Sequence, residues 1–340
     1  MVWRRMKFTK LDRIIDYLFT KFMRNKGCCM CLLLLFLQSL LIIHLQRKYD
    51  ALYSLATIPH IDTFWHSNND VSIIVPRQRT LVKFDRSFII VTACARDVAK
   101  FLPEFRRNIE DIVSIFEDYR VLIGESDSKD ATREYLTKWS VKNPKIQLYT
   151  YGNLTRTFST RRTDRIAYCR NHLLTTAREK QWIPRAQFLL VVDIDVNGNS
   201  ILSTDKFLTN FRYNLNQWGA MTASQTHLYY DIWALRSSIV DYDCWKAVNK
   251  YPRNSDIAQK IFIDVHRKPI PKNHPLIPVQ SAFGGFAVYQ TRYLQDCRYD
   301  SFDAEFSYGK CEHVIFNECV SRNGGRIFVN PAFQNSDGLL

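Results

Sequence analysis

The run Phe188-Leu189-Leu190-Val191-Val192-Asp193-Ile194-Asp195 constrains this chain more than any other stretch. Its five leading apolar residues predict a buried β-strand, and the strand ends in two carboxylates one residue apart. Two like charges at the end of a buried strand are costly unless a cation sits between them. At the carboxyl end of a parallel strand, where open α/β sheets place their ligands, hard oxygen donors suit Mn²⁺ or Mg²⁺. Such a cation can in turn hold a diphosphate. A solvated strand end would carry the same residues, and an isolated Asp-x-Asp arises often by chance. Its meaning therefore rests on what surrounds it.

Residues 28–45 (CCMCLLLLFLQSLLIIHL) form the one long apolar run near either end. At 1.5 Å per residue, a helix of that length spans roughly 27 Å, about the thickness of a bilayer core. Eight cations precede it (Arg4, Arg5, Lys7, Lys10, Arg13, Lys21, Arg24, Lys26) against Asp12 and Asp16. Arg47 and Lys48 alone follow closely. This bias puts the N-terminus in the cytosol and the body across the membrane, a single-pass type II arrangement. A cleaved signal peptide fits less well, because no small-residue cleavage site closes the run. The expected organisation is a cytosolic tail (1–27), a transmembrane anchor (28–45), a stem (46–84) and a lumenal body (85–340).

Three cysteines, Cys28, Cys29 and Cys31, lie at the cytosolic edge of the anchor, where acylation and plain membrane packing are both open. Cys94, Cys169, Cys244, Cys297, Cys311 and Cys319 fall in the body, an even set that permits disulfides of undetermined connectivity. Asn153-Leu154-Thr155 is the one glycosylation sequon, consistent with a lumenal body. Of the formal charge of +14, the first 27 residues supply +6 (eight minus two), and the other +8 is spread over the body without a dense basic run. Together with the topology, that spread argues against a nucleic-acid partner and favours an acidic small ligand.

From residue 87 strand and helix alternate. Ser87–Cys94 (SFIIVTAC) predicts a strand covered on both faces. Phe101, Phe105, Ile109, Ile112, Val113 and Phe116 recur at helical spacing, with Pro103 in the first turn. Tyr119–Gly124, a helix over 130–142, Ile146–Tyr151 and a helix marked by Ile166 to Ala177 complete the lead-in to the acidic strand. Such alternation predicts an α/β fold with a parallel sheet and right-handed crossovers.

Two further segments carry chemistry. The loop Glu125–Thr132 (ESDSKDAT) is either an ordinary helix cap, with Asp130 as the capping residue, or a site where Glu125 accepts hydrogen bonds from a base or ribose. In Arg165-Ile166-Ala167-Tyr168-Cys169-Arg170-Asn171, Arg165 and Arg170 leave one helix just upstream of the acidic strand. Guanidinium forks match phosphate oxygens and stay charged, although a solvated helix face would also carry them.

The order ESDSKDAT, RIAYCRN, FLLVVDIDV resembles the core of GT-A fold glycosyltransferases. Within them it is most similar to the fungal capsule-type α-mannosyltransferases of family 69. The resemblance covers residues 87–200 best. It implies a single Rossmann-like GT-A domain with a nucleotide-binding half (85–200) and an acceptor-binding half (201–340), a mainly parallel sheet, and a Golgi or ER membrane location. Further implied are an Asp-x-Asp holding Mn²⁺ or Mg²⁺, a nucleoside-diphosphate sugar donor (GDP-mannose in family 69) and a retaining reaction; the wider fold also supports inversion. By the same resemblance, Gly284 and Gly285 in Ser281–Tyr289 line the sugar pocket, where a β-bulge would otherwise explain the paired glycines. His313 joins Asp193 and Asp195 as a metal ligand.

Glu312 opens a helical pattern through Val320 that stops at Gly324-Gly325, and helix capping alone accounts for it. Asp231, in Tyr229-Tyr230-Asp231-Ile232-Trp233, sits beside aromatics suited to sugar rings. The expected activity is metal-dependent transfer of a sugar from a nucleotide sugar to a glycan or glycoconjugate acceptor. Asp231 or Glu312 would serve as general base if the reaction inverts, and would position the sugars if it retains. The competing readings are an inverting transferase using a UDP-sugar, a non-catalytic lumenal protein that binds nucleotide sugar or glycan, and a nucleotidyltransferase, against which the anchor counts.

Overall fold

The computed structural model describes residues 29–56, 84–196 and 202–336. The chain divides into two compact units, residues 1–59 and 60–340. In the first, helix α1 (Cys29–Ala56) covers the expected anchor and continues into the first part of the expected stem. Among the described residues, no helix is long and apolar enough to cross a membrane. The tail, Cys28, and stem residues 57–83 lie outside the described residues.

In the second unit, strands β1 (Phe88–Ala95), β2 (Asp118–Glu125), β3 (Ile146–Thr150) and β4 (Phe188–Asp193) fall where the apolar runs predict them. Helices α2 (Leu102–Val113), α3 (Thr132–Lys142) and α4 (Arg162–Glu179) connect them. Pro103 is accommodated at the start of α2, where no intrahelical donor is needed. These four strands pair in parallel in the order β3-β2-β1-β4. One face of β1, through Ile89, Val91 and Ala93, packs with Leu102, Phe105 and Ile109 of α2. The other face meets α4. Coverage on both faces is why these strands are apolar throughout.

The second half contributes β5 (Ala220–Gln225), β6 (Ile277–Val279), β7 (Phe286–Gln290) and β8 (Ile327–Ser336), with helix α5 (Glu312–Arg322) before β8. The full sheet runs β3-β2-β1-β4-β7-β5-β8-β6. β7 lies antiparallel between β4 and β5, and β6 antiparallel on β8, so the parallel character of the first half gives way to a mixed sheet. Because β7 runs against β4, its amino end meets the carboxyl end of β4: Phe286 pairs with Val192, and the Asp193 amide donates to the Gly285 carbonyl at 2.8 Å. The opposite end of β4 is sealed by Phe188 against Phe211, with ring centroids 5.0 Å apart. One end of the strand is thus packed with rings while the other carries the acids.

Away from the acids, His266 is fully buried and its Nε2 lies 3.0 Å from the Tyr242 hydroxyl. Burial, with Lys268 adding, pushes its pKa down to about 4. A folded-state value below the unfolded one gives stability that is present above about pH 6.5 and lost as pH falls through 4. Melting temperature should therefore drop across that window, and His266→Gln should flatten the drop by on the order of 3 kcal/mol.

Candidate active site

The carboxyl ends of β1, β2 and β4 open onto one cleft, lined among others by Ala95, Arg96, Ser126, Arg162, Arg165, Arg170, Asp193 and Asp195. A disulfide between Cys94 and Cys169 ties the end of β1 to α4, so the arginine-bearing helix is fastened over the strand ends. Cys297–Cys319 likewise fastens α5 to the segment after β7, while Cys244 and Cys311 are free and buried. These pairings resolve the connectivity that the sequence left open.

Arg170 is the centre of the arrangement. Its side chain is only 6% exposed; Nη2 donates to Asp193 Oδ1 at 2.8 Å, and Nη1 contacts both Glu312 Oε1 and His313 Nε2. Phe283 and Tyr299 close over the guanidinium, 5.0 and 5.7 Å from their ring centroids, and the His313 ring stacks on Phe283. Burial opposes the charge of Arg170, but Glu312 and Asp193 outweigh it and hold the group protonated. His313 is pushed well below the ordinary imidazole range by burial and by Arg170, so it is neutral and accepts from Arg170 through Nε2.

The expected metal set of Asp193, Asp195 and His313 is therefore not assembled. His313 faces Arg170, and among the described residues no group of three or more His, Cys, Asp or Glu side chains is placed to hold a metal ion. The cation between Asp193 and the residues of α5 is Arg170. The two aspartates alone fit a hard divalent cation better than the three do. Asp195 is exposed and makes no hydrogen bond or ion pair among the described residues, and Asp193 commits Oδ1 to Arg170 while Oδ2 makes none. Mn²⁺ and Mg²⁺ are commonly held by one or two carboxylates with phosphate oxygens completing the shell. Crowding by protein raises the Asp193 carboxyl to about 7, with Arg170 opposing the rise and Asp195 adding to it.

Glu312 and Asp231 were candidates for a general base, and the geometry assigns both to other work. Glu312 is buried and paired with Arg170. Asp231 accepts from the Gly284 amide at 3.0 Å through Oδ2 and from the Ala234 amide at 3.3 Å through Oδ1, and burial raises its pKa. It fixes the glycine pair. Both glycines have positive φ, +65° and +85°. A Cβ on Gly284 would lie 2.4 Å from the Ala223 carbonyl oxygen, so Gly284→Ala should cost about 2 kcal/mol and be visible as a lower melting temperature. A Cβ on Gly285 would lie 2.7 Å from the Tyr230 hydroxyl and 2.9 Å from Val196 Cγ2.

Glu125 is fully buried; Oε1 accepts from the Ser128 amide at 3.1 Å and Oε2 from Arg133 Nε at 2.7 Å. Its carboxylate closes its own loop, which corrects the expectation of a base or ribose contact. Asp130 likewise ties the Thr132 and Ala99 amides. Ser126, the next residue after Glu125, lines the cleft instead. Arg165 does face the cleft, held by the Ser159 and Thr160 carbonyls at 2.8 and 2.6 Å. Burial, with neighbouring Arg96 adding, pushes it below the ordinary guanidinium value. Arg96 and Arg162 are cleft residues that reading the sequence missed. Arg96 directly follows β1, so the rule that ligands sit at strand carboxyl ends, applied to β4, finds it equally well.

No protein-family model matches the sequence, and no curated protein matches it. Among solved structures, a mannosyltransferase, PcManGT from Pyrobaculum calidifontis in complex with GDP-Man and Mn²⁺, is similar at 12% identity and TM-score 0.43, over 87% of this chain and 64% of that one. TarS 1-349 from S. aureus is similar at 12% identity and TM-score 0.43, over 73% of this chain and 59% of that one. The same protein in complex with UDP-GlcNAc gives 12% and 0.41 over 73% and 57%. This chain thus spans under two thirds of each of those chains. At this level the likeness carries no assignment of donor, metal or acceptor.

Proposed function

We propose that this chain is a metal-dependent glycosyltransferase that moves a sugar from a nucleoside-diphosphate sugar to a glycan or glycoconjugate acceptor. The observation that carries the proposal is the charge pattern of the cleft. Arg96, Arg162 and Arg165 face Asp193 and Asp195 across the carboxyl ends of three parallel strands. That pattern suits a diphosphate, bound by the guanidinium groups on one side and, through a divalent cation, by the two carboxylates on the other. The cation, when bound, neutralises charge on the departing diphosphate.

The chain's own residues do the rest. Arg162 and Arg165 bind and orient the diphosphate at the start of α4. Arg170, held by Glu312, keeps Asp193 pointed into the cleft. Asp231 and the Gly284-Gly285 turn shape the wall beyond it, where the transferred sugar would lie. Glu312 and Asp231 are both committed to internal contacts, so neither is a free base, and that favours the retaining course. GDP-mannose is the donor that the resemblance to family 69 implies.

A type II membrane location in the Golgi or ER, with residues 28–45 as the anchor and the body lumenal, belongs to the same proposal. It is supported by the cation bias and by the apolar run of residues 28–45 in the sequence, of which Leu35, Leu37, Leu41, Ile42 and Leu45 are exposed. In microsomes the body should resist added protease, and Asn153 should carry an endoglycosidase-sensitive glycan. Protease-accessible, unmodified protein would contradict the topology.

The donor reading is tested by calorimetric titration of the full chain with GDP- and UDP-sugars in the presence and absence of Mn²⁺. Tightened binding of one nucleotide class by Mn²⁺ is expected. Binding of none, with or without metal, would end the proposal.

A further inference from the structure

A second cavity, of about 440 Å³, lies beside the cleft and is walled by Trp233, Trp245, Phe306 and Tyr308, with Asn249 and Ser255 among its lining residues. We infer that this aromatic cavity is a carbohydrate-binding subsite that seats a pyranose ring of the acceptor glycan; the inference rests on the transferase reading above.

Three observations lead there. First, the walls are flat aromatic faces, two of them indoles, and Tyr308 is 68% exposed. Phe306 is buried, whereas Trp233 and Trp245 are half-buried and keep part of their ring faces open, and sugar C–H faces pack on such rings. Second, the cavity is not purely apolar. Among the described residues the Asn249 amide, the Ser255 hydroxyl and the Trp245 indole N–H make no hydrogen bond, whereas the Trp233 indole N–H is taken by Asp243 at 2.9 Å. Uncommitted donors and acceptors beside aromatic faces match a polyol better than an alkyl chain, which would leave them unpaired.

Third, hydrogen bonds tie the walls of the cavity to residues next to the cleft. Trp233 is two residues from Asp231, whose carboxylate holds the Gly284 amide at 3.0 Å. On the other side, the Tyr308 carbonyl accepts from the Thr163 hydroxyl at 3.1 Å, and Thr163 adjoins the cleft residue Arg162. The Ser301 hydroxyl, bonded to Asp164 at 2.7 Å, further fastens the segment bearing Phe306 and Tyr308 to the start of α4. An acceptor longer than one ring, seated in the cavity, would therefore extend toward the Arg162 side of the cleft. The volume suits one to two sugar rings, within the range of about 300–1,000 Å³ usual for ligand sites.

The test uses the full chain and four probes: mannobiose, cellobiose and lactose as glycans, and cyclohexanol as an apolar control. Tryptophan fluorescence and saturation-transfer NMR would follow each titration. At least one glycan should bind in preference to cyclohexanol. Trp245→Ala should weaken that binding about two- to twelvefold, with Trp245→Phe retaining most of it, because stacking on a ring contributes about 0.5–1.5 kcal/mol. Thermal unfolding and GDP or UDP binding, read in parallel, should be unchanged in both variants. Binding of no glycan, equal binding of cyclohexanol, or unaltered glycan binding in Trp245→Ala would each overturn the subsite. Loss of nucleotide binding by the unmodified chain, with glycan binding intact, would instead remove the transferase reading and leave the subsite standing.

Discussion

Asp195→Ala is expected to lower sugar transfer by about a thousandfold while changing stability by less than about 0.5 kcal/mol. The asymmetry follows from where the residue sits. Asp195 is exposed, just past the end of β4, and makes no bond among the described residues, so the fold loses nothing when its carboxylate goes. On the proposed function, the site would lose one of its two hard oxygen donors, and with it the means to neutralise the leaving group. Asp195→Asn keeps the shape and removes the charge, and should be nearly as inactive. Initial-rate measurements with matched melting curves check both statements. A melting temperature that falls with activity would assign Asp195 a structural role.

Arg170→Met should have the opposite profile, with stability and activity falling together. The substitution leaves Glu312 buried without its counter-ion and Asp193 without the group that orients it. Removing one partner from a buried ion pair costs about 3–5 kcal/mol, because the remaining charge keeps its desolvation penalty. In a unit of this size that is a drop in melting temperature of roughly 10 °C. The double variant Arg170→Met, Glu312→Gln removes the uncompensated charge, so it should recover much of the stability. It should not recover activity, since Asp193 remains unheld. Recovery of both would show that Arg170 serves the fold alone; recovery of neither would show that the loss comes from the aromatic contacts to Phe283 and Tyr299 rather than from charge.

The uneven legibility of this chain has a physical cause. Strands β1 to β4 announce themselves because parallel strands covered on both faces are apolar without interruption, and the helices between them carry their own period. Their cleft inherits that clarity, as Asp193, Asp195 and Arg165 all sit near the ends of such elements. β6 has three residues, and β7 inserts antiparallel between two strands that precede it, an order that no local pattern encodes. Long-range pairs were invisible for the same reason. Arg170 and Glu312 are 142 residues apart, and Cys94 and Cys169 are 75 apart.

The departures from expectation share one origin. Glu125, Asp231, Glu312 and His313 are polar residues in suggestive places, and each is engaged, His313 through Nε2 alone, by a neighbour that only the fold supplies. A sequence shows that a carboxylate is present but not whether an amide or a guanidinium already holds it. Asp195 differs from these four because no protein group among the described residues takes it.

The central claim is that the two aspartates at the end of β4 work with a divalent cation to release a nucleoside diphosphate from a sugar donor. The most direct measurement is nucleotide release from GDP- and UDP-sugars by the full chain, with a glycan acceptor mixture, in Mn²⁺ and again in EDTA, alongside Asp195→Ala. Release with Mn²⁺ from one nucleotide class is expected, abolished by EDTA and by the substitution. Release that persists in EDTA, or in the alanine variant at the unmodified rate, would contradict it.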